Sequence, residues 1–236
     1  MKTSAPLLHN KLLGLLPDSP RWVETRGMLL AGRCLAFGDS TNCVVVDSVM
    51  PVLSILGRPA ATLLTQALEA AIQPVHVLAP PENQEYVAHL LPGWLCESAT
   101  LHLLKPSPRS DPVSVENVRL FEPNEGFIAC IPDTLAKELR RVADWSLIAA
   151  TFVEQIPVSF CYASSMTETL WDISIDTLED YRRRGYAAQC VEYMIRLMNK
   201  QGRQPVWGAM NSNAASLLMA QKLAFEPVDQ LAVFSK

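Results

Sequence analysis

The sequence lacks the residue patterns of a metal site. It has only four histidines in 236 residues, and His76, His89 and His102 do not have the spacing of zinc ligands. Its six cysteines, at positions 34, 43, 96, 130, 161 and 190, include no Cys-x-x-Cys pair. We therefore expect no metal, and the cysteines indicate reduced, mostly buried thiols in a cytoplasmic protein.

Long apolar runs and excess positive charge are also missing. No uninterrupted apolar stretch approaches the ~18 residues of a membrane helix. His9, Asn10 and Lys11 interrupt the leucines near the start, and no small-residue cleavage site follows, so we expect no secretory signal. The net charge of −4 disfavours a general nucleic-acid surface. We expect a soluble cytoplasmic protein with neither nucleic acid nor membrane as a partner.

One segment has the composition of an exposed linker. Residues 105–114 contain three prolines and three serines with little apolar content. We therefore predict an N-terminal α/β region over 1–104, a linker over 105–116 and a second domain over 117–236. With 49% hydrophobic residues, the chain can bury a core in each region.

The sequence of the second region predicts the element order β-α-β-β-β-α-β-α-β, which is a mixed α/β unit. Residues 169–178 alternate strictly, as a strand with two unlike faces does. The apolar face carries Trp171, Ile173, Ile175 and Thr177, and the polar face carries Asp172, Ser174 and Asp176.

The first region repeats part of the second. Residues 74–105 align with residues 205–236 without a gap, and Pro74-Val75 aligns with Pro205-Val206. One interpretation is a degenerate half-copy of the second domain. The other is that α/β units of similar size fall into register by chance, since few identities support the match.

Arg182-x-x-Gly185-x-Ala187 lies where a predicted strand gives way to a predicted helix. The unpaired N–H groups and partial positive charge of a helix start suit a phosphate. Glycine permits a close backbone approach, and arginines add charge-assisted hydrogen bonds. Alternatively, such an arginine run is simply a solvated helix face.

A second pattern follows one strand later. It reads Asn213-x-x-Ser216-x-x-Met219-x-x-Lys222-Leu223-Ala224-Phe225. Together, in this order and spacing, the two patterns resemble those of the GNAT superfamily of N-acetyltransferases. The resemblance is strong over 169–236 and extends less closely over 117–236.

The resemblance implies a mixed, splayed central sheet flanked by helices, with the N-terminal region interpreted as a degenerate half-GNAT repeat in the first of the two readings above. It also implies acetyl-CoA or another acyl-CoA as the donor. The amides of Arg183 to Ala188 would cradle the pyrophosphate, and the strand end at Asp176 would pair with the pantetheine arm. The implied cofactor residues are Asp176, Thr177, Leu178, Arg182, Arg183, Arg184, Gly185, Tyr186, Ala187, Ala188, Asn213 and Ser216.

Acyl transfer requires a neutral amine, whereas free alkyl amines keep their proton to pH ~10. A carboxylate, commonly acting through water, is the family's usual base. Asp172 is the first candidate and Glu168 the second, while Ser174 shares the face of Asp172 and would line the acceptor channel. The alternative is that these acids are merely solvated.

The sequence departs from the family pattern at two positions. Ala220 stands where a tyrosine often protonates the departing thiolate, and Ala224 stands where glycine is usual. Tyr162, Tyr186, Tyr193 or water could substitute for the missing acid. Cys161 and Cys190 are interpreted as buried residues rather than nucleophiles.

Three functions remain open. The first is an N-acyltransferase acting on a small-molecule amine or peptide. The second is a catalytically impaired acetyl-CoA-binding or sensing module. The third is an interaction protein that forms a homodimer through its N-terminal half.

Overall fold

The computed structural model describes residues 5–105, 114–123, 126 and 131–236. The chain divides into two compact units. The first comprises Met1–His102, Gly208–Leu218 and Pro227–Lys236, and the second comprises Leu103–Trp207 and Met219–Glu226. Residues 106–113 of the predicted linker lie outside the described part of the chain. The domain division at 105–116 therefore stays a prediction.

The N-terminal part of the chain alternates helices and strands. The helices are α1 (Ala5–Leu15), α2 (Val23–Ala31), α3 (Ala61–Ala70) and α4 (Gln84–Leu90), with short 3-10 helices at Pro20–Trp22 and Pro81–Asn83. The strands are β1 (Cys34–Gly38), β2 (Cys43–Asp47), β3 (Val52–Leu56), β4 (His76–Ala79) and β5 (Leu95–Leu104). In the first unit β1, β2 and β3 pair antiparallel, and β3 pairs parallel with β4.

Both faces of this first sheet are covered. Val44 and Val46 of β2 pack in a core with Leu64 of α3, whereas Cys43 and Val45 pack in another with residues of α1 and α2. All of β2 is buried, as expected for a strand between two helical layers.

The remaining elements follow from residue 118 onward. They are β6 (Val118–Leu120), α5 (Asp133–Val142), β7 (Ile148–Val153), β8 (Ile156–Met166), β9 (Leu170–Thr177), α6 (Tyr186–Asn199), β10 (Gln204–Met210), α7 (Ala214–Lys222) and β11 (Phe225–Ser235). In the second unit the strand order is β10-β9-β8-β7-β6. β7 and β8 form a hairpin, pairing antiparallel around Glu154 (φ 49°) and Gln155 (φ 69°).

Helices also cover both faces of the second sheet. On one face, Leu139 of α5 packs in a core with Phe160 and Tyr162 of β8. On the other face, α6 places Cys190 against Thr151 of β7. Because helices cover both faces of the sheet, we look for a ligand site at the ends of its strands.

β9 and β10 pair over only a short distance. Their parallel register joins Leu170, Trp171 and Asp172 to Gln204, Pro205 and Val206. β9 continues from Ile173 to Thr177 beyond that register. The predicted fold class is confirmed in its architecture: the fold is mixed α+β, with a splayed sheet flanked by helices.

The proposed half-repeat has a counterpart in the element order. A shift of 131 residues carries β4, α4 and β5 onto 207–210, 215–221 and 226–235, which lie within β10, α7 and β11. β3 pairs parallel with β4 over three residues, as β9 does with β10. This agreement supports the N-terminal region as a degenerate half-GNAT.

Candidate functional site

The turn between β9 and α6 has an unusual backbone. A 3-10 helix at Glu179–Tyr181 leads into three arginines. Arg183 has φ 61°, and Gly185, the N-cap of α6, has φ 84°. A left-handed arginine is uncommon, and such conformations concentrate at functional turns. The turn therefore has an uncommon backbone conformation and differs from an ordinary helix start.

This turn is open to a ligand. Within the described chain no side chain caps the start of α6, and a Cβ added to Gly185 would meet nothing within 4 Å. Arg182, Arg183, Arg184 and Gly185 are exposed, whereas Tyr186, Ala187 and Ala188 are half-buried. The first N–H groups of a helix lack intrahelical partners and attract anions. The predicted phosphate residues thus lie together, in a geometry that suits a diphosphate.

Hydrogen bonds fix the first turn of α6 to the sheet. The Thr151 hydroxyl donates to the Tyr186 carbonyl oxygen at 3.0 Å. Cys190 Sγ lies 3.0 Å from Thr151 Oγ1 and donates to the Ser159 carbonyl oxygen at 3.1 Å. Burial raises the pKa of Cys190 to about 11 and that of Cys161 well above its usual value. Both are buried thiols, which is what the sequence predicted.

The end of β9 is hydrogen-bonded along one edge, to β8. Ser159 Oγ of β8 donates to the Asp176 carbonyl oxygen at 3.2 Å and lies 2.7 Å from Thr177 Oγ1. The Leu178 N–H donates to the Val158 carbonyl oxygen at 2.9 Å. The β9–β10 register ends earlier, at Asp172. The opposite edge at Asp176–Leu178 therefore suits an extended chain carrying amide groups.

The predicted polar face of β9 is half-buried rather than solvated. Asp172 Oδ2 accepts a hydrogen bond from Ser164 Oγ at 2.7 Å, and Ser174 lies opposite Tyr162 in the β8–β9 register. Asp172, the first candidate base, lies at the last β9–β10 pair. Glu168, the second, is exposed in the turn before β9. At a rise of about 3.3 Å per residue, the start of β9, next to Glu168, lies roughly 23 Å from the end of the strand.

Asp176 takes part in a contact that the sequence did not predict. Tyr162 Oη lies 2.9 Å from Asp176 Oδ2 and 2.8 Å from Glu138 Oε1 of α5. Burial raises the pKa of Asp176, although the hydrogen bond with Tyr162 and the charge of Arg182 oppose this. Glu138 and its exposed neighbour Lys137 are both charged, and the sequence does not show which of them faces the sheet. Only the packing of α5 identifies Glu138.

Residues of the second sequence pattern have local structural roles. Asn213 Oδ1 accepts a hydrogen bond from the Ser216 N–H at 3.1 Å and so caps α7. These two predicted cofactor residues belong to the first unit, and the Gly185 turn belongs to the second. Ala220, in the usual tyrosine position, is fully buried. Ala224 has φ 62°, the left-handed conformation that explains glycine there.

The first unit has a turn in the position that corresponds to Gly185, between β3 and α3, but it is closed. A Cβ added to Gly57 would clash with the Thr41 carbonyl oxygen. The Arg58 N–H donates to Asn42 Oδ1 at 2.7 Å, and Asn83 Nδ2 donates to the Gly57 carbonyl oxygen at 2.8 Å. The protein's own residues therefore fill the space beside Gly57 and pair with the N–H group of Arg58.

Comparison with known families agrees with this geometry. A family model described as GNAT acetyltransferase matches residues 149–234, a segment that contains the Gly185 turn. Residues 149–234 are a GNAT acetyltransferase domain. GNAT enzymes use acetyl-CoA. The predicted family and its C-terminal placement are therefore confirmed.

Solved structures share the GNAT fold over nearly the whole chain. A GCN5-related N-acetyltransferase-like protein from Streptococcus suis is 17% identical, with a TM-score of 0.68, and the alignment covers 96% of each chain. A tandem GNAT protein from the clavulanic acid biosynthesis pathway is 12% identical, with a TM-score of 0.60 and coverage of 98% of this chain and 94% of its own. A GNAT-family acetyltransferase from Colwellia psychrerythraea is also 12% identical, with a TM-score of 0.59 and coverage of 98% and 93%. No curated protein matches the sequence significantly.

The structure was also searched for a metal site and for a membrane-spanning helix. Across the described ranges, no three or more histidine, cysteine, aspartate or glutamate side chains are grouped so that they could hold a metal ion. None of the helices in that part of the chain is both long and apolar enough to span a bilayer.

Proposed function

We propose that the chain is an N-acyltransferase that moves an acetyl group from acetyl-CoA to an amine, on either a small molecule or a peptide. The observation that carries this proposal is the open turn at Gly185, which belongs to a GNAT domain. The N–H groups at the start of α6 and the three arginines would hold the diphosphate. The edge of β9 near Asp176 would hold the pantetheine arm.

Asp172 is the proposed base. It lies where β9 and β10 cease to pair, it is half-buried, and Ser164 donates a hydrogen bond to one of its oxygens. Asp172 would take a proton from the amine, directly or through water. The amine nitrogen then forms the new C–N bond as the C–S bond of the thioester breaks. The Ser164 hydrogen bond would keep the Asp172 carboxyl group in position.

The first test is cofactor binding. Acetyl-CoA at 100 times its Kd should stabilise the folded protein by about 2.7 kcal/mol, measured as an increase in melting temperature. Arg182→Glu/Arg183→Glu should weaken this stabilisation. Lys137→Glu/Arg140→Glu, which makes the same charge change on the exposed side of α5, should not. Unchanged binding by the first variant would refute the phosphate role of the turn.

The closed turn at Gly57 predicts one cofactor per chain. Titration calorimetry with CoA should therefore give a stoichiometry near ~1, because the only open turn of the two is the one at Gly185. A stoichiometry near ~2 would show that the Gly57 turn opens and binds as well.

The test of the base compares two carboxylates. Asp172→Asn should lower the rate of thiol release from acetyl-CoA by about 10²-fold or more, at unchanged CoA affinity. Glu168→Gln should leave the rate nearly unchanged, since Glu168 lies at the other end of β9. The reverse order would assign the base to Glu168.

Ala220 favours a second candidate, a binding or sensing module. Its buried methyl group cannot donate the proton that a tyrosine there would supply. A panel of polyamines, amino acids, aminoglycosides and peptides separates the two functions by release of free thiol. Cofactor binding without release above the rate of hydrolysis in buffer would favour the module.

A further inference from the structure

Two short contacts meet at the hydroxyl group of Tyr162, one with Asp176 and one with Glu138. When both carboxylates are ionised, the group has one proton for these two contacts. Tyr162 Oη lies within hydrogen-bond distance of both carboxylates, at 2.9 and 2.8 Å. A phenol has one proton and can donate only one hydrogen bond. The second short contact would then bring together two oxygens without a proton between them. A second proton in this group would give each of the two short contacts a hydrogen.

The surroundings indicate that Asp176 holds that second proton. Tyr162 is 1% exposed and fixes the Oη atom between the two acids. Burial raises the pKa of Asp176, which favours its neutral form. The hydrogen bond with Tyr162 and the charge of Arg182 have the opposite effect, but the Arg182 side chain is exposed and screened by solvent. Asp176 then donates to Tyr162, and Tyr162 donates to Glu138.

We propose that Asp176 is the acid that protonates the departing CoA thiolate, and that Tyr162 and Glu138 hold it in the carboxylic-acid form. This inference rests on the proposed function, because it needs a CoA thioester beside β9. It accounts for Ala220, since the proton that a tyrosine would supply comes from β9 instead. Tyr162 and Glu138 act through Asp176 and are positioning residues.

The proton balance of the step is complete. The amine nitrogen forms a bond to the acetyl carbon, and the electron pair of the C–S bond goes to sulfur. Sulfur takes the Asp176 proton and leaves as a thiol, while the extra proton of the nitrogen goes to Asp172 or water. Asp176 is afterwards reprotonated from solvent, with Tyr162 as its partner throughout.

The first experiment detects the proton without substrate. Infrared spectra of the whole chain at neutral pH should show the carbonyl band of a protonated carboxylic acid. Asp176→Asn should remove this band, and Tyr162→Phe should shift it, because the acid loses its hydrogen-bond acceptor. Asp180→Asn, at an exposed site four residues further on, should leave it unchanged. A spectrum without the band in the unmodified protein would overturn the inference.

The second experiment measures thiol release from acetyl-CoA against pH, with water as the acceptor where no amine of the panel reacts. The rate should fall as pH rises through the pKa of Asp176, because the acid form is the active one. Asp176→Asn should lower the rate about tenfold to hundredfold and abolish this descending limb. Glu138→Gln should move the limb to lower pH, whereas the exposed Glu179→Gln should not.

The outcomes separate the two proposals. A limb that stays in Asp176→Asn, or that Glu138→Gln leaves in place, would refute the acid role, since a purely structural contact changes the rate equally at every pH. Loss of acetyl-CoA stabilisation in the unmodified protein would instead refute the proposed function. The infrared band would then still report the shared proton.

Discussion

The hydroxyl of Thr151 donates a hydrogen bond to the carbonyl oxygen of Tyr186 at 3.0 Å. It joins the middle of β7 to the first residue of α6, 35 positions later in the chain. Thr151 is fully buried, so its hydroxyl has no access to water. The position of the Gly185 turn therefore depends on a strand that contributes no residue to the turn itself.

Thr151→Val tests this relationship. Valine keeps the shape of the side chain but leaves the Tyr186 carbonyl and the Cys190 thiol without this partner, so the free energy of unfolding should fall by about 1–3 kcal/mol. Chemical denaturation measures the change. Thr65→Val provides the control, because Thr65 makes its hydrogen bond to Ala61 on an exposed helix face. A similar loss in both variants would contradict a special role for Thr151.

Gly185→Ala separates folding from binding. A left-handed alanine costs about 1–2 kcal/mol of stability, but its Cβ has space in the free protein. In the complex the same methyl group would project at the diphosphate, so CoA affinity should fall more than about tenfold, a loss above ~1.4 kcal/mol. Calorimetry measures the affinity.

Gly202→Ala is the matched control. Gly202 has φ 75°, open space around its Cβ position, and lies just beyond the other end of α6. It should show the same loss of stability with unchanged CoA affinity. Equal affinity losses in the two glycine variants would rule out a direct contact at Gly185.

Ala224→Gly should stabilise the protein. Ala224 has φ 62°, which costs an alanine about 1 kcal/mol relative to glycine, so the variant should gain roughly that amount. Ala143, at the end of α5, has φ −58° and is the control. Ala143→Gly should lower stability by up to about 1 kcal/mol. Denaturation curves of the two variants should therefore shift in opposite directions.

Asp229 should make stability depend on pH in the acid range. Arg21 Nε donates to Asp229 Oδ2 at 3.0 Å, and this hydrogen bond lowers the pKa of Asp229. A lowered pKa in the folded state gives stability that is present above the ordinary value of ~3.9 and is lost as pH falls through the lowered pKa. Asp229→Asn should be less stable than the unmodified protein at neutral pH.

The difference between Asp229→Asn and the unmodified protein should shrink as pH falls through the lowered pKa of Asp229. Thermal melting across that range measures it. A constant difference for Asp229→Asn would mean that the Arg21 contact does not shift the titration of Asp229.

Much of the fold was predictable because its signals are local. The alternation at 169–178 placed β9 to within one residue at each end, and the pattern from Arg182 to Ala187 placed the start of α6. Residues 44–56 are mostly apolar but belong to two strands, β2 and β3, because Asp47 Oδ1 accepts hydrogen bonds from the Val49 and Met50 N–H groups and closes a turn. That turn depends on a side-chain contact that periodicity does not report.

The sequence by itself determined where strand gives way to helix at Gly185, since glycine, arginine and the change of apolar period act within a few neighbouring residues. Only the tertiary structure decided that Gly57 is closed by Thr41, and that Tyr162 lies between Asp176 and Glu138. Those arrangements join residues far apart in the chain, and both their geometry and their protonation depend on burial that forms only when the strands and helices pack.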